Sequence, residues 1–450
     1  MKLLFCCEFY YPSVGGVQEV MRQIAERMVK NGHEVTIATS QLNNRNFDSH
    51  NGVRIVEFAV TGNLTRGLEG EIERYQSFLA NFNADAIMIK AAQQWTFDAS
   101  WPVLDLIKAR KVFIPCGFSG LYEPEYAQYF CNLPNILRKF DHLIFYAERY
   151  RDIDFVKNHG MQHFSIVPNG ACEEEFSAIK DSSFRERHGI PESSFLLLTV
   201  GSMTGMKGHR EVAEAVARLN SKGRHVTLIL NGNRLPSISD IRVNLATPSK
   251  CSGIENLLIR FRHLGKRTSK LAGKACRAFR VYQKEGWKGV WQRIATLLGQ
   301  KKKTLDYWIN DINHQVRNKK ILQLDLPRTE LIQAYKASDL FVFASNIEYS
   351  PLVLFESTAA GLPFLSVPVG NAEEIAEWTG GGCICPALKD ERGYTRVDPE
   401  LLSKMILELM DHPEDLRKLG ENGHAAWRER FNWLTIAKDY EEILSGVVSR

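Results

Sequence analysis

A chain of 450 residues is too long for one ordinary hydrophobic core and predicts two domains. Its 44% hydrophobic and 24% charged residues are those of a water-soluble globular protein, and no apolar run reaches the roughly 20 residues that cross a bilayer. The formal charge of +5 conceals an imbalance: residues 241–303 hold 16 Lys and Arg against Glu255 and Glu285, a local +14 that leaves −9 for the rest.

The first run, Leu3-Leu4-Phe5-Cys6-Cys7, reads as a buried strand and not as a leader, because Glu8 ends it and no small-residue cleavage pattern follows. Nine cysteines without a Cys-x-x-Cys pair predict reduced thiols and a cytoplasmic location. Strands are expected at 2–9, 33–39, 53–58, 85–90, 111–115, 142–145 and 164–167. Val17, Val20, Met21, Ile24, Ala25, Met28 and Val29 repeat at helical spacing up to Gly32 and predict the first helix. The charged stretch 177–194, with Pro191, reads as a linker. A second series follows: strand 195–201, helix 211–219 and strand 225–231. After the basic segment it resumes with strands 320–324, 340–344 and 364–367, and a final helix starts near Trp433. Strands alternating with helices signal parallel sheets with crossover helices. The expected architecture is α/β, with two Rossmann-like domains facing across a cleft. Residues 1–176 form the first, with helix 434–450 packing back on it. Residues 195–433 form the second, with a basic helical insertion at about 236–312.

The most informative stretch runs from Ile347 to Gly361. Ser350 suits a helix N-cap, Pro351 the first helical position and Gly361 the C-terminal stop, so a short helix begins just after a buried strand. Doubly wound proteins bind ligands at that sheet edge, and free helix amides there suit a diphosphate. Glu348 precedes the helix and Glu356 lies within it. Carboxylates beside phosphate serve better as acceptors for hydroxyls, which fits a nucleotide sugar with hydroxyls on both sides of its diphosphate. Glu-x7-Glu is a commonplace spacing taken alone, and two solvated charges are the plainer reading; the helix start carries the weight. Gly15-Gly16, before the first helix, allows a close backbone approach to a ligand, or makes only a turn. The Gly201–Gly208 loop ends a strand and sets Lys207 before the next helix, where it either neutralises diphosphate or is simply solvated.

Several motifs occur in order: Tyr11-Pro12-Ser13-Val14-Gly15-Gly16-Val17, Asn31-Gly32-His33-Glu34-Val35-Thr36, Val167-Pro168-Asn169-Gly170, Gly201…Lys207-Gly208 and Glu348…Glu356. Gly361-Leu362-Pro363 and Pro368-Val369-Gly370-Asn371 complete the set. Together they resemble the GT4-type (group 1) retaining glycosyltransferases of GT-B fold, over nearly the whole chain except the basic segment. The resemblance implies a nucleotide-diphospho-sugar donor bound mainly by the second domain and a saccharide or lipid-linked acceptor bound mainly by the first. It also implies transfer with retention of configuration, with no cofactor and no divalent metal. Glu348 would meet hydroxyls of the transferred sugar and Glu356 the ribose. Gly16, Lys207 and the amides near Leu352 and Val353 would meet the diphosphate, with Gly15, Gly201, Ser202 and Ser350 completing the donor site. Lys207 and Glu348 are the expected catalytic residues. Two departures stand out. Ser202 occupies a position where the family usually has arginine, so Lys207, Arg210 or Arg234 is expected to carry more of the phosphate charge. Many members also have a histidine after the fourth strand, whereas Lys90–Asp98 has none, leaving Gln94, Trp95 and Asp98 as acceptor-side candidates. A role in polysaccharide or glycolipid assembly is expected. The rivals are a sugar-nucleotide epimerase on the same fold and a catalytically silent membrane-docked scaffold.

Asp152-x-Asp154, among Arg149, Arg151 and Lys157, reads as a solvated helix face and not as a metal-binding pair. Cys383-x-Cys385 puts two thiols on one strand face and reads as a buried pair. In the basic segment, 254–261 and 271–282 read as helical. Trp287, Val290, Trp291, Ile294, Leu297 and Leu298 share a face near Lys284, Lys288 and Arg293, and three lysines follow. Such a pattern suits an interfacial helix on an anionic membrane surface through residues 254–303, with packing on its own domain as the plainer alternative. Nucleic acid is not expected, because the acidic remainder offers no second basic surface.

Overall fold

The computed structural model describes residues 1–233 and 303–446. Met1–Asn233 and Asp311–Arg450 form one compact unit and Arg234–Asn310 a second. Both large sheets belong to the first unit. The expected helices at 254–261 and 271–282 and the tryptophan stripe at 287–298 lie outside the described residues.

The first sheet is built from β1 (Lys2–Cys6), β2 (Glu34–Ser40), β3 (Ser49–His50) and β4 (Val53–Phe58). After a separate hairpin, β5 (Val60–Asn63) and β6 (Gly67–Gly70), it continues with β7 (Ala86–Lys90), β8 (Arg110–Ile114), β9 (His142–Phe145) and β10 (Phe164–Ile166). Its order is β10-β9-β8-β7-β1-β2-β4-β3, parallel except where β3 meets β4. The second sheet takes β11 (Phe195–Val200), β12 (Val226–Asn231), β13 (Lys319–Leu324), β14 (Leu340–Phe343), β15 (Phe364–Ser366) and β16 (Gly382–Ile384) in the order β13-β12-β11-β14-β15-β16, all parallel. Every residue of β7 and of β12 is buried, as continuous apolar strands covered on both faces must be. β17 (Ala387–Lys389) and β18 (Thr395–Val397) form a small antiparallel pair.

Strand order reverses between β1 and β7 in one sheet and between β11 and β14 in the other. The crevice beyond the C-terminal ends at such a reversal is where doubly wound sheets take ligands. The loop carrying Gly15-Gly16 leaves β1, the loop carrying Lys207 leaves β11 and the loop carrying Glu348 leaves β14. All three site segments therefore start at switch-point strands.

The last helix, Trp433–Ser445, packs on the first domain: Trp433, Ile436, Tyr440 and Ile443 share a core with Val20, Met21, Ile24 and Met28 of the helix Gly16–Lys30. Arg110 at the start of β8 donates from Nε to the Ile443 carbonyl at 3.0 Å.

Several local expectations are corrected. β1 ends at Cys6, three residues early, because the chain turns at once and Ser13 donates to the Tyr10 carbonyl at 3.1 Å. The supposed linker is docked. Phe184 is buried in the short helix Phe184–Arg187, and Arg185 pairs with Asp339 at 2.9 Å and donates to the Ser194 carbonyl at 2.8 Å. Asp152 is not on a solvated face but fully buried, accepting from the Gly117 amide at 2.8 Å, and burial pushes its carboxyl up to about 6. Of the Cys383 and Cys385 pair, Cys385 is buried and Cys383 half-exposed. Cys6, Cys7, Cys116, Cys131, Cys172, Cys383 and Cys385 are all free thiols. Among the described residues no helix is long and apolar enough to cross a membrane.

Candidate active site

β11 delivers the chain into the Gly201–Gly208 loop, and backbone fit sets the course of that loop. Gly208 has φ +73, and a Cβ there would lie 1.9 Å from the Ala344 carbonyl at the end of β14. Backbone cannot yield to that overlap, so Gly208→Ala is expected to cost at least about 3 kcal/mol, read as the shift in a urea unfolding curve. The same approach brings the two site loops together: Asn346 donates to the Met206 carbonyl at 2.8 Å.

The loops then meet through side chains. Lys207 Nζ lies 2.5 Å from Glu348 Oε1, which also accepts from Ser345 Oγ at 2.8 Å. Both partners are partly exposed, so the pair is open to a ligand. Glu356, one face further into the domain, is buried. Arg328 Nη1 pairs with its Oε1 at 2.7 Å, and the Tyr335 hydroxyl donates to Oε2 at 3.1 Å. Arg328 extends the network to Glu175 at 2.6 Å and lies over the Phe176 ring. Burial alone would weaken the guanidinium, but the Glu356 and Glu175 carboxylates raise its pKa above the ordinary arginine value.

Two helix starts converge on this place. Leu352–Ala359 begins with Pro351 as N-cap, one residue later than expected, and no side chain caps it. Ser350 does not serve as cap; its hydroxyl is buried without a partner among the described residues. Gly16–Lys30 also begins without a side-chain cap, at Gly15. A Cβ on Gly16 would sit 3.8 Å from Leu352 Cδ1, so the amide ends of one helix from each domain are neighbours. Uncapped amides and two positive dipole ends make a ready anion site. Leu352 and Val353 supply the first amides of the second helix, as expected.

Gly15, Gly16, Lys207, Glu348, Ser350, Leu352 and Val353 thus fall together, and Gly201 lies against the Lys207 side chain. Ser202 follows in the same loop and accepts from the Thr204 amide through its carbonyl at 2.8 Å. The proposed substitutes for its missing charge fare differently. Arg210 is engaged with Glu211 at 2.7 Å and Glu214 at 3.0 Å, and Arg234 lies outside the described residues. Arg328 is the cation that sequence reasoning missed; its one signal was a Pro-Arg step just beyond a strand at the same sheet edge.

The acceptor-side candidates are largely corrected. Trp95 is fully buried and donates from its indole to Ser40 Oγ at 2.8 Å. Asp98 is fully buried, accepts from the Tyr129 hydroxyl at 2.7 Å and the Leu64 amide at 2.9 Å, and is pushed up to about 6 by burial. Both are spent on the core. Gln94 is half-buried, its side-chain oxygen without a partner among the described residues. Lys90, at the end of β7, is fully buried, and burial lowers it to about 8. Its Nζ donates to the Val17 carbonyl at 3.5 Å and lies over the Tyr146 ring. Among the described residues one group is spaced for a metal, Cys172, Glu173 and Glu174, and Arg27 and Lys30 already neutralise its acids.

His209, the first residue after the Lys207–Gly208 turn, is buried with neither ring nitrogen partnered among the described residues, and burial lowers it to about 4. A histidine held neutral in the fold but free to protonate when unfolded adds stability that is full above its unfolded value near 6.5. That stability is lost as pH falls towards 4, about 3 kcal/mol in all. His209→Leu is expected to remove that share of the acid sensitivity, seen by comparing urea unfolding of both proteins at pH 7 and pH 4.5.

Comparison with known proteins accords with this geometry. Residues 292–426 match the family described as Glycosyl transferases group 1. The chain is 27% identical over 238 residues to lipopolysaccharide glucosyltransferase WaaG of Escherichia coli strain K12, covering 51% of this chain and 62% of that protein. It is 30% identical over 131 residues to D-inositol 3-phosphate glycosyltransferase of Thermobispora bispora, covering 29% and 28%. The chain spans less than two thirds of the length of these curated relatives. Among solved structures, sucrose-phosphate synthase of Thermosynechococcus elongatus superposes with a TM-score of 0.65 at 16% identity, covering 99% and 98% of the two chains. HepE of Anabaena in complex with UDP gives 0.64 at 15%, covering 99% and 100%. WaaG gives 0.59 at 18%, also covering 99% and 100%. Two parallel, doubly wound sheets with this likeness define the GT-B fold. Within that fold, residues 292–426 carry the likeness to the group 1 glycosyltransferases.

Proposed function

We propose that the protein transfers a sugar from a nucleotide-diphospho-sugar to an acceptor hydroxyl with retention of configuration and without a divalent metal. The observation that carries the reading is the meeting of the Lys207–Glu348 pair with two uncapped helix starts, at Gly16 and Leu352. The amide ends and Lys207 take the diphosphate and stabilise the charge that grows on it as the sugar leaves. Glu348 accepts from sugar hydroxyls, and Glu356, within the helix that follows, from the ribose. The acceptor hydroxyl attacks the face from which the diphosphate departs, and a leaving-group oxygen takes its proton, so no side chain becomes a covalent nucleophile. HepE has been solved with UDP, with UDP and glucose and with UDP-glucose, which makes UDP-glucose the first donor to try.

The role of WaaG in lipopolysaccharide biosynthesis favours a saccharide or lipid-linked acceptor and a place in polysaccharide or glycolipid assembly. Residues 254–303 would then hold the enzyme at the anionic cytoplasmic face of a membrane. The deciding experiment is calorimetric titration with a panel of nucleotide sugars and slow-hydrolysis assays on each. Saturable binding of one of them, with release of its nucleoside diphosphate, is expected; no binding across the panel would sink the reading.

A further inference from the structure

Glu348 is followed by a tyrosine, and that tyrosine leaves its own domain. The Tyr349 hydroxyl accepts from the Tyr146 amide at 3.1 Å, just beyond the end of β9 in the first domain. Its ring packs on Tyr146 and Tyr150, with centroids 5.5 and 4.8 Å apart. Gly117, in the loop after β8, has no side chain to offer: a Cβ there would lie 3.0 Å from the Tyr349 ring. The Gly117 amide donates to buried Asp152, and that carboxylate also meets the Tyr349 hydroxyl.

The backbone on either side is held as well. The Tyr150 hydroxyl donates to the Glu348 carbonyl at 2.9 Å, and Asn169 Nδ2 donates to the Ser350 carbonyl at 3.2 Å. The Tyr349 carbonyl accepts from the Asn371 amide at 2.9 Å, and Asn371 in turn donates from Nδ2 to the Tyr146 carbonyl at 2.9 Å. Three successive carbonyls are therefore fixed, two of them by first-domain side chains. With the backbone fixed on both sides, the direction in which the Glu348 side chain leaves is fixed too. Lys207 and Ser345 grip only the free end of that side chain, and an unanchored loop would let the pair swing as a unit.

We infer that Tyr349 and Tyr150 are positioning residues, through which the first domain aims the Glu348 carboxylate at the transferred sugar. The inference rests on the proposed role of Glu348 towards the sugar. It makes recognition of the sugar, but not of the nucleotide, depend on contact between the two Rossmann-like domains.

The test uses the full chain with Tyr349→Phe and Tyr150→Phe, which keep the rings and remove one hydroxyl each. Affinity is measured by calorimetry for the nucleotide sugar that the parent protein binds and for its bare nucleoside diphosphate. Amide hydrogen exchange over residues 345–351 is followed without ligand. Each variant is expected to weaken the nucleotide sugar by about tenfold and the bare nucleotide by less than about twofold. Exchange in 345–351 is expected to rise. Parent-like binding of both ligands, or an equal loss for both, overturns the inference. A parent protein that binds no nucleotide sugar overturns the functional reading instead. In that event exchange decides the anchoring: faster in the variants supports it, unchanged overturns it.

Discussion

Lys207→Ala is expected to lower turnover by about a hundred- to a thousandfold while weakening donor binding by less than about tenfold. The asymmetry follows from where charge develops. In the proposed donor complex the ground-state diphosphate has two helix starts to rest on, so losing one ammonium costs little. As the glycosidic bond breaks, negative charge builds on the leaving diphosphate, and Ser202 offers no cation in the loop to share it. Arg210 cannot readily step in, since Glu211 and Glu214 hold it. The substitution also strips Glu348 of its counter-charge, leaving it with Ser345. Lys207→Arg restores a charge with a different shape and is expected to recover only part of the rate. Steady-state kinetics and equilibrium titration on the same preparations separate the two effects. An alanine variant that keeps full turnover refutes a catalytic lysine.

The second large effect belongs to Glu356. Its carboxylate joins Arg328 and the buried Tyr335 hydroxyl, so Glu356→Ala leaves Tyr335 unpaired and Arg328 with Glu175 alone, and is expected to cost about 3 kcal/mol of stability. Glu356→Gln keeps an acceptor for Tyr335 and is expected to cost less. The glutamine variant is the better probe of ligand binding, because it stays folded. The parent protein is expected to prefer a ribonucleoside diphosphate over its 2′,3′-dideoxy counterpart by about tenfold or more, and Glu356→Gln to lose that preference. Equal binding of the two nucleotides by the parent protein would remove the ribose contact from Glu356.

The strands and switch points were legible because parallel strands buried on both faces announce themselves as short apolar runs, and β7, β11, β12 and β14 all fall where such runs predicted them. The donor side was legible because glycines and charges at the C-terminal ends of those strands keep a fixed distance from the strand in the sequence itself. What failed were residues whose role depends on partners distant in sequence. Asp152 has a helical neighbourhood full of charge and reads as surface, yet it is buried beneath Tyr349. Trp95 and Asp98 follow β7 and read as acceptor-side candidates, yet Ser40, Leu64 and Tyr129 claim their polar atoms. Arg328 reaches Glu356 from a different helix, and no spacing within either segment records that contact.

The last helix carries a consequence for modular engineering. Trp433, Ile436, Tyr440 and Ile443 fill one side of the first domain's core, although the second domain's sheet separates them in sequence from Val20, Met21, Ile24 and Met28. A chimera that borrows residues 1–176 from a homologue while keeping the native C-terminus would join a core to a foreign wall. The transplantable first domain is therefore discontinuous, and any domain-swapped hybrid has to carry the two stretches together.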